Sequence, residues 1–250
     1  MSNFDFTFII PTYNRSDLLG KKLENIFNLE NFNQFKIDVI VVDNSSSPNE
    51  LKKNKEIVGK FKAIYLSSDQ GNANIARNTG LLNSRSQFVS FSDDDDLFRS
   101  DYLNYVMPII NSKKVSNDLI FSWADVKEDD SLIYKFKPKE SDYDKIYEKN
   151  PFPSSSCVMN KNVFSIVGLW NPNIKSCQDW DLWIRCKMNS IQVNVIDQPL
   201  VIINKSGKES IGLSTNYYKS LYQINKNILH LSIIQFYKNL ALIVKKNLFR

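Results

Sequence analysis

The sequence is poor in the residues that histidine- and cysteine-based sites require. Its 250 residues include one histidine, His230, and three cysteines, Cys157, Cys177 and Cys186, none of which forms a CxxC pair. Histidine catalysis, a zinc site and a disulfide framework are therefore not expected. The unpaired cysteines favour a reducing compartment.

Long apolar runs and glycine-rich motifs are also missing. No apolar stretch reaches the roughly 18 residues that a spanning helix needs, and the N-terminus lacks the basic and apolar regions of a signal peptide. We therefore expect a cytoplasmic protein, with peripheral contact at the inner face of the cell membrane as an alternative. No GxGxxG sequence occurs, which argues against a dehydrogenase.

Positive charge is concentrated near the C-terminus. The net charge is +5, yet residues 1–209 contain 26 cations and 27 anions, and no acidic residue follows Glu209. The body of the chain therefore gives no reason to expect nucleic-acid binding. We predict an amphipathic helix in the tail, which packs on the domain or on a second copy of the chain, or lies on an anionic membrane surface. Its apolar residues recur at helical spacing: Leu229, Ile233, Phe236, Leu240 and Ile243.

Strands and helices alternate through the first hundred residues. Apolar runs predict strands at FTFII, FKIDVIVVD, FKAIYL and QFVSFS, with helical segments between them. This alternation predicts an α/β fold in which helices flank a mostly parallel sheet. Further along, DLIFSWADVKE and SLIYKFKP predict strands of a hairpin or of a mixed sheet. Residues 138–156 predict a loop, DWDLWIRCKM a helix and IQVNVID a strand.

Four consecutive aspartates, Asp93, Asp94, Asp95 and Asp96, follow the fourth predicted strand. Adjacent carboxylates repel one another, so their charge needs compensation, which a divalent cation such as Mg²⁺ or Mn²⁺ supplies well. If the extended conformation continued, Asp93 and Asp95 would face one way, and Asp94 and Asp96 the other. A solvated acidic turn or a calcium site is the alternative.

Other polar segments fall at the carboxyl ends of the predicted strands. PTYNR follows the first strand, DNSS with Asp43 follows the second, and Arg77 lies on the helix before the fourth. Ligands of parallel sheets bind beyond these ends, so the segments should converge on one crevice. The plainer alternatives are a turn with a helix cap for PTYNR, a cap for Asp43 and a surface cation for Arg77.

The segment CQDWDLWIRC carries Asp179 among large aromatic side chains. Such surroundings can raise the pKa of a carboxylate, which suits a general base. Asp179 as a helix cap, and Trp180 and Trp183 as core residues rather than a sugar platform, are the alternatives. Asp181 and Arg185 are spaced for an i,i+4 ion pair.

Five segments, PTYNR, VVDNSS, ARNTG, FSDDDD and QDWDLWIR, occur in this order between about residues 6 and 205. In them the chain resembles the inverting family 2 glycosyltransferases with the GT-A fold. The resemblance implies transfer of a sugar from a nucleotide-diphosphate sugar, with UDP expected, to a glycan or glycolipid acceptor. Bacterial surface polysaccharide or glycolipid synthesis is the expected setting. A sugar nucleotidyltransferase and a non-catalytic nucleotide-sugar binding module are the alternatives.

The resemblance also implies domain limits and residue roles. It implies a glycosyltransferase domain over 1–215, with a donor half at 1–100 and an acceptor half at 101–215, followed by the helical tail at 216–250. Asp179 matches the catalytic base, in a chain with Gln178 where the family often has Glu. Asp95 matches the direct ligand of Mn²⁺ or Mg²⁺, with Asp93 at the other end of the motif and Asp96 as a weaker candidate. The implied donor-binding residues are Pro11, Thr12, Tyr13, Arg15, Asp43, Arg77, Asp93 and Asp94.

Overall fold

The computed structural model describes residues 4–68, 70–112, 119–205 and 219–224. Its strands are β1 (Phe4–Thr12), β2 (Ile37–Asp43), β3 (Ile64–Ser67), β4 (Ser86–Phe91), β5 (Leu97–Phe98), β6 (Leu119–Glu128), β7 (Ser131–Phe136), β8 (Cys157–Asn160) and β9 (Val193–Asn204). Its helices are α1 (Ser16–Phe27), α2 (Pro48–Val58), α3 (Ala73–Asn83), α4 (Tyr102–Ile110), α5 (Val163–Val167) and α6 (Gln178–Met188).

The nine strands form one sheet in the order β3-β2-β1-β4-β8-β6-β9-β5, and β7 pairs with β6. The first four strands are parallel, as the alternation of the sequence predicts. The second half is mixed, because β8 runs antiparallel to both β4 and β6, and β5 runs antiparallel to β9. Strands from residues 1–100 and from the rest of the chain therefore share a single sheet of the α/β type.

The alternation of β1 divides the core between the two faces of the sheet. Phe6, Phe8 and Ile10 belong to one buried cluster, which α1 and α4 complete. Ile9, between them in sequence, belongs to the other cluster together with residues of α5 and α6. β2 is buried along nearly its whole length, which explains its continuous run of β-branched residues.

Two helices show how the local sequence fixes their positions. Ser47 caps α2 by accepting a hydrogen bond from the Glu50 amide, and Pro48 takes the first helical position. Serine at the cap and proline directly after it are both favoured at the start of a helix. α3 lies close to the sheet because Gly80 has no side chain. A Cβ at Gly80 would lie 2.4 Å from Cγ2 of Ile9.

The predicted loop at 138–156 is more structured than its polar sequence indicates. It contains short 3₁₀ turns at Glu140–Lys145 and Ser154–Ser156. Tyr143, Ile146 and Phe152 are buried in the second core cluster, so this segment covers one face of the sheet. The strands β5 and β8 were not predicted, because runs of two and four residues carry too little periodicity.

The predicted hairpin is confirmed, since β6 and β7 pair antiparallel. No helix within the described ranges is long and apolar enough to cross a membrane. Most of the predicted tail helix and the predicted boundary at residue 215 lie outside the described residues. Residues 219–224, inside the predicted tail, are helical, and Ile224 is buried in the second core cluster.

Candidate active site

A cleft of about 690 Å³ lies at the carboxyl ends of β1 and β4 and at the starts of α3 and α6. It brings together nine of the ten residues predicted for the site: Pro11, Thr12, Tyr13, Arg15, Arg77, Asp93, Asp94, Asp95 and Asp179. Segments that are up to 168 positions apart in sequence therefore converge on one crevice, as expected for an open parallel sheet.

Asp43 is the predicted residue that does not line the cleft. It is fully buried at the end of β2. Its carboxylate accepts hydrogen bonds from the Ser45 amide at 2.9 Å, the Asn54 amide group at 2.9 Å and the Tyr65 hydroxyl at 2.9 Å. The carboxylate thus organises the loop after β2 from beneath, and the role of Asp43 in donor binding stays a prediction.

The acidic turn, residues 93–96, does not continue β4 in an extended conformation. The Asp96 amide donates to the Asp93 carbonyl at 3.3 Å, so the chain reverses directly after the strand. The condition for the predicted alternation of side-chain directions is therefore not met, but the burial of the four side chains does alternate. The Asp93 and Asp95 side chains are 40% and 26% exposed, whereas Asp94 and Asp96 are buried.

Asp94 is bound from β1 and from the start of α1. It accepts hydrogen bonds from Thr12 Oγ1 at 2.7 Å and from Arg15 Nη1 at 3.1 Å. Burial raises the pKa of Asp94 to about 6, although the Thr12 hydrogen bond and the Arg15 charge act in the opposite direction. Its contacts make Asp94 part of the wall that connects β1 to the acidic turn.

Asp95 lies nearer the open side of the cleft. One carboxylate oxygen accepts from Arg15 Nη1 at 3.0 Å, and its backbone carbonyl accepts from Asn204 Nδ2 at 2.6 Å. Burial, and then the negative charge of Asp93, raise the pKa of Asp95. β9 therefore holds the backbone of this turn while the carboxylate points toward the cleft.

A buried lysine on α1, which the sequence reading missed, compensates the acidic turn from inside the protein. Lys22 is 0% exposed; its Nζ donates to the Asp96 carbonyl at 2.7 Å and to Ser92 Oγ. It also lies 4.0 Å from the ring centroid of Phe98. Burial lowers the pKa of Lys22 to about 8, against the negative charges of the aspartates, of which Asp96 acts most strongly.

The Asp96 carboxyl group faces protein rather than the cleft. It accepts a short hydrogen bond from the Ser155 hydroxyl, and burial raises its pKa to about 8. The signal for this arrangement in the sequence is the position of Lys22 between Leu19, Leu23 and Ile26 on the apolar face of α1. A lysine at such a position needs a buried partner.

Arg77 connects the acidic turn to α6. Its two terminal nitrogens donate to Asp93 at 2.8 Å and to Gln178 at 2.8 Å, and its guanidinium lies 4.9 Å from the ring centroid of Trp170. The side chain is 5% exposed, so Arg77 is not a free surface cation. Because Gln178 stands where the family often has Glu, Asp93 is the one carboxylate that forms an ion pair with Arg77 in the described part of the chain.

Asp179 lies in the first turn of α6, after Cys177 in the left-handed region with φ 56°. Its Oδ1 accepts from the Trp180 amide at 2.8 Å. Burial raises the pKa of Asp179, whereas the Trp180 amide, the Arg77 charge and a hydrogen bond with Asn150 lower it. Asp179 is therefore a carboxylate with raised proton affinity that lines the cleft.

The neighbours of Asp179 take structural roles. Asp181 and Arg185 form the predicted i,i+4 ion pair at 2.8 Å. Trp183 is buried and packs on Phe121, and Trp180 donates to the Ile146 carbonyl at 2.5 Å. The tryptophan that lines the cleft is instead Trp170, which the sequence analysis did not single out.

The acidic turn has the donor set that Mg²⁺ and Mn²⁺ prefer. Carboxylate oxygens of Asp93, Asp95 and Asp96 lie within 4.8 Å of one another, and hard oxygen ligands suit these ions. Asp96 is already bound by Ser155. Asp93 and Asp95, which are the more exposed pair, are therefore the residues that fit a cation in the cleft.

The sequence matches Glycosyl transferase family 2 over residues 7–165, a span that includes the loop after β1, Arg77 and the acidic turn. The chain belongs to this family. The amylovoran biosynthesis glycosyltransferase AmsB of Erwinia amylovora is 26% identical over 249 residues, which cover 93% of this chain and 80% of AmsB. The poly(ribitol-phosphate) beta-N-acetylglucosaminyltransferase TarP of Staphylococcus aureus is 30% identical over 120 residues, which cover 45% of this chain and 34% of TarP.

Solved structures of glycosyltransferases share the fold of this family 2 member. TarS of S. aureus in complex with UDP-GlcNAc has a TM-score of 0.72 at 18% identity, over 94% of this chain and 69% of that one. The mannosyltransferase PcManGT of Pyrobaculum calidifontis, in complex with GDP-Man and Mn²⁺, has a TM-score of 0.63 at 16% identity, over 92% and 65%. These likenesses confirm the GT-A fold.

Proposed function

We propose that this family 2 glycosyltransferase transfers a sugar, with inversion, from a nucleotide-diphosphate sugar to an acceptor hydroxyl. The observation that carries the proposal is the convergence of Asp179 with Asp93 and Asp95 on one cleft. A carboxylate with raised proton affinity and a pair of carboxylates suited to a cation are the two groups that such a transfer needs.

The donor occupies the side of the cleft formed by the first half of the chain. Pro11, Thr12 and Tyr13 line the place for the nucleobase, and Arg77 lies where it can bind phosphate oxygens. UDP is the proposed nucleotide. The complexes of TarS with UDP-GlcNAc and of PcManGT with GDP-Man support a nucleotide-sugar donor and make guanosine nucleotides the necessary comparison.

Mg²⁺ or Mn²⁺ is the proposed cofactor, held by Asp95 with Asp93. Bound there, the ion would neutralise the negative charge that builds on the diphosphate leaving group. Arg77 adds a fixed positive charge next to Asp93, and Lys22 neutralises the buried side of the turn.

Asp179 is the proposed base. It accepts the proton of the acceptor hydroxyl, whose oxygen then attacks the anomeric carbon on the face opposite the leaving diphosphate. A single displacement of this kind inverts the anomeric centre. The raised pKa of Asp179 makes it a stronger base than an ordinary aspartate.

A glycan or glycolipid of bacterial surface polysaccharide synthesis is the proposed acceptor. The similarity to AmsB, a glycosyltransferase of amylovoran biosynthesis, and to TarP, a poly(ribitol-phosphate) beta-N-acetylglucosaminyltransferase, supports this class of acceptor. We place the reaction in the cytoplasm or at the inner face of the membrane, where nucleotide sugars are available.

Thermal unfolding with a panel of UDP, GDP, CDP and ADP, each with and without Mn²⁺, tests the donor side. We expect one nucleotide, UDP, to raise the Tm, and Mn²⁺ to enlarge the shift. Absence of any shift across the panel would count against the donor site.

Transfer from the donor so identified tests the base. Asp179→Asn should abolish transfer and leave the nucleotide-induced Tm shift within a degree or so of the wild type. Asp197→Asn, at an exposed position on β9, is the control and should retain transfer. Full transfer by Asp179→Asn would disprove the assignment of the base, and donor binding without turnover across a broad acceptor panel would favour the binding-module alternative.

A further inference from the structure

Arg15 holds the acidic turn in the way that a bridging cation would. A single nitrogen, Nη1, donates to Asp94 at 3.1 Å and to Asp95 at 3.0 Å. Asp95 is the carboxylate assigned to the metal ion, and Arg15 lines the same cleft. One oxygen of the proposed metal ligand is thus bound to a protein cation.

Arg15 and Arg77 differ in their freedom to move. Arg77 is buried and bound on several sides. The Arg15 side chain is 49% exposed and stands at the N-cap of α1 without a capping hydrogen bond. Its ion-pair partners in the described part of the chain are Asp94 and Asp95. Leaving the aspartates costs Arg15 two charged hydrogen bonds.

A divalent ion on Asp95 and the guanidinium of Arg15 on the same carboxylate repel each other. At the short separation that a shared carboxylate imposes, this repulsion is substantial at any protein dielectric. A donor diphosphate brings at least two negative charges into the cleft and offers the guanidinium bidentate acceptors. Arg15 can then leave Asp95 without losing its counter-charge.

We propose that Arg15 is a positioning residue that couples metal binding to donor binding. It occupies the cation place on Asp95 in the free protein and transfers to the donor diphosphate when nucleotide and metal enter together. Metal affinity is therefore weak in the free protein and rises when the nucleotide is present. This inference rests on the proposed function.

The test measures the Kd for Mn²⁺ by calorimetric titration at pH 8, with and without saturating UDP. The ratio of the two Kd values is the coupling factor between the ligands. Arg15→Gln removes the competing charge, and we expect it to tighten Mn²⁺ binding without UDP by about tenfold, in line with the removal of one nearby positive charge. The coupling factor should fall by a similar amount.

Arg85→Gln is the matched control. Arg85 is 53% exposed and pairs with buried Asp38 at 3.1 Å, almost the geometry of Arg15 with Asp94, but it does not line the cleft. Its Mn²⁺ affinities should stay within twofold of the wild type. Circular dichroism of both variants confirms that they are folded.

The outcomes separate this inference from the proposed function. If wild-type protein binds Mn²⁺ neither alone nor with any nucleotide, the proposed metal-dependent function fails and the coupling fails with it. If wild-type protein shows the coupling but Arg15→Gln leaves it unchanged, or weakens Mn²⁺ binding without UDP, the proposed function stands and the role of Arg15 is wrong.

Discussion

Replacement of Lys22 by methionine tests whether a protein cation, rather than solvent, sustains the acidic turn. Methionine matches the length of the lysine side chain and removes its charge and its hydrogen bonds. Ser92 Oγ and the Asp96 carbonyl lose their donor in a fully buried place. Asp96 also loses the positive charge of Lys22. Among the aspartates, Asp96 is the one whose charge acts most strongly on Lys22.

The magnitude follows from these contacts. Two buried acceptors without a partner cost about 2 kcal/mol each, and the loss of the ammonium above the Phe98 ring costs about 1–2 kcal/mol. Burial of an apolar methionine returns about 2 kcal/mol. We therefore expect Lys22→Met to lower the free energy of unfolding by about 3 kcal/mol.

Urea unfolding at pH 7 measures this loss, and the adjacent residue supplies the control. Lys21 is exposed on the same helix, and Lys21→Met should change stability by less than about 0.5 kcal/mol. Ser92→Ala removes one acceptor in advance, so Lys22→Met should cost about 1–2 kcal/mol less in that background. A loss below about 1 kcal/mol for Lys22→Met, with an unchanged m-value, would refute the reasoning.

Two further predictions follow from the contacts of α3 and α6. Gly80→Ala should lower stability by about 1–3 kcal/mol, because its Cβ would meet Ile9 at 2.4 Å. Gly20→Ala, with nothing within 4 Å of its Cβ, should be neutral or stabilising in the same urea titration. Equal effects of the two substitutions would contradict the close approach of α3 to the sheet. Burial raises the pKa of Asp179 and the Asn150 hydrogen bond lowers it, so kcat/KM should fall as pH drops through this raised pKa, and Asn150→Ala should move the acidic limb to higher pH. If the acidic limb of Asn150→Ala stays at the pH of the wild type, Asn150 does not influence the pKa of Asp179.

The parts of the fold that depend on local pattern could be predicted from the sequence. β1 and β2 carry runs of apolar residues that only a sheet covered on both faces accommodates, and both are present with a parallel register. The hairpin of β6 and β7 follows from two adjacent apolar segments. In contrast, β5 consists of two residues, and its pairing with β9 depends on contacts about 100 positions away.

The candidate site likewise has features that could be predicted from the sequence and features that could not. The residue types and their order predicted a shared cleft, and Asp179 and Asp95 both line it. The pairing of Lys22 with Ser92 and Asp96 could not be predicted, because its partners lie 70 and 74 positions along the chain. The inward orientation of Asp43 likewise depends on partners that only the tertiary structure brings together.

Differences in side-chain burial within the acidic turn also arise from contacts with segments that are distant in the sequence. Asp94 and Asp96 are buried because Thr12 and Ser155, from distant segments, supply hydroxyl donors. Four identical letters in the sequence thus occupy four different environments. Local pattern gives the number of charges, and long-range packing decides which of them face a ligand.

The single sheet that joins the two halves of the chain has a consequence for substrate entry. Hydrogen bonds between β4 and β8, and between β5 and β9, cross from one half to the other within the described residues. In the described part of the chain, a sheet joined in this way has no hinge between its two parts that could open around a large acceptor. Adaptation to a new acceptor must then come from changes in the loops at the rim of the cleft, while Asp179 and the acidic turn keep their separation.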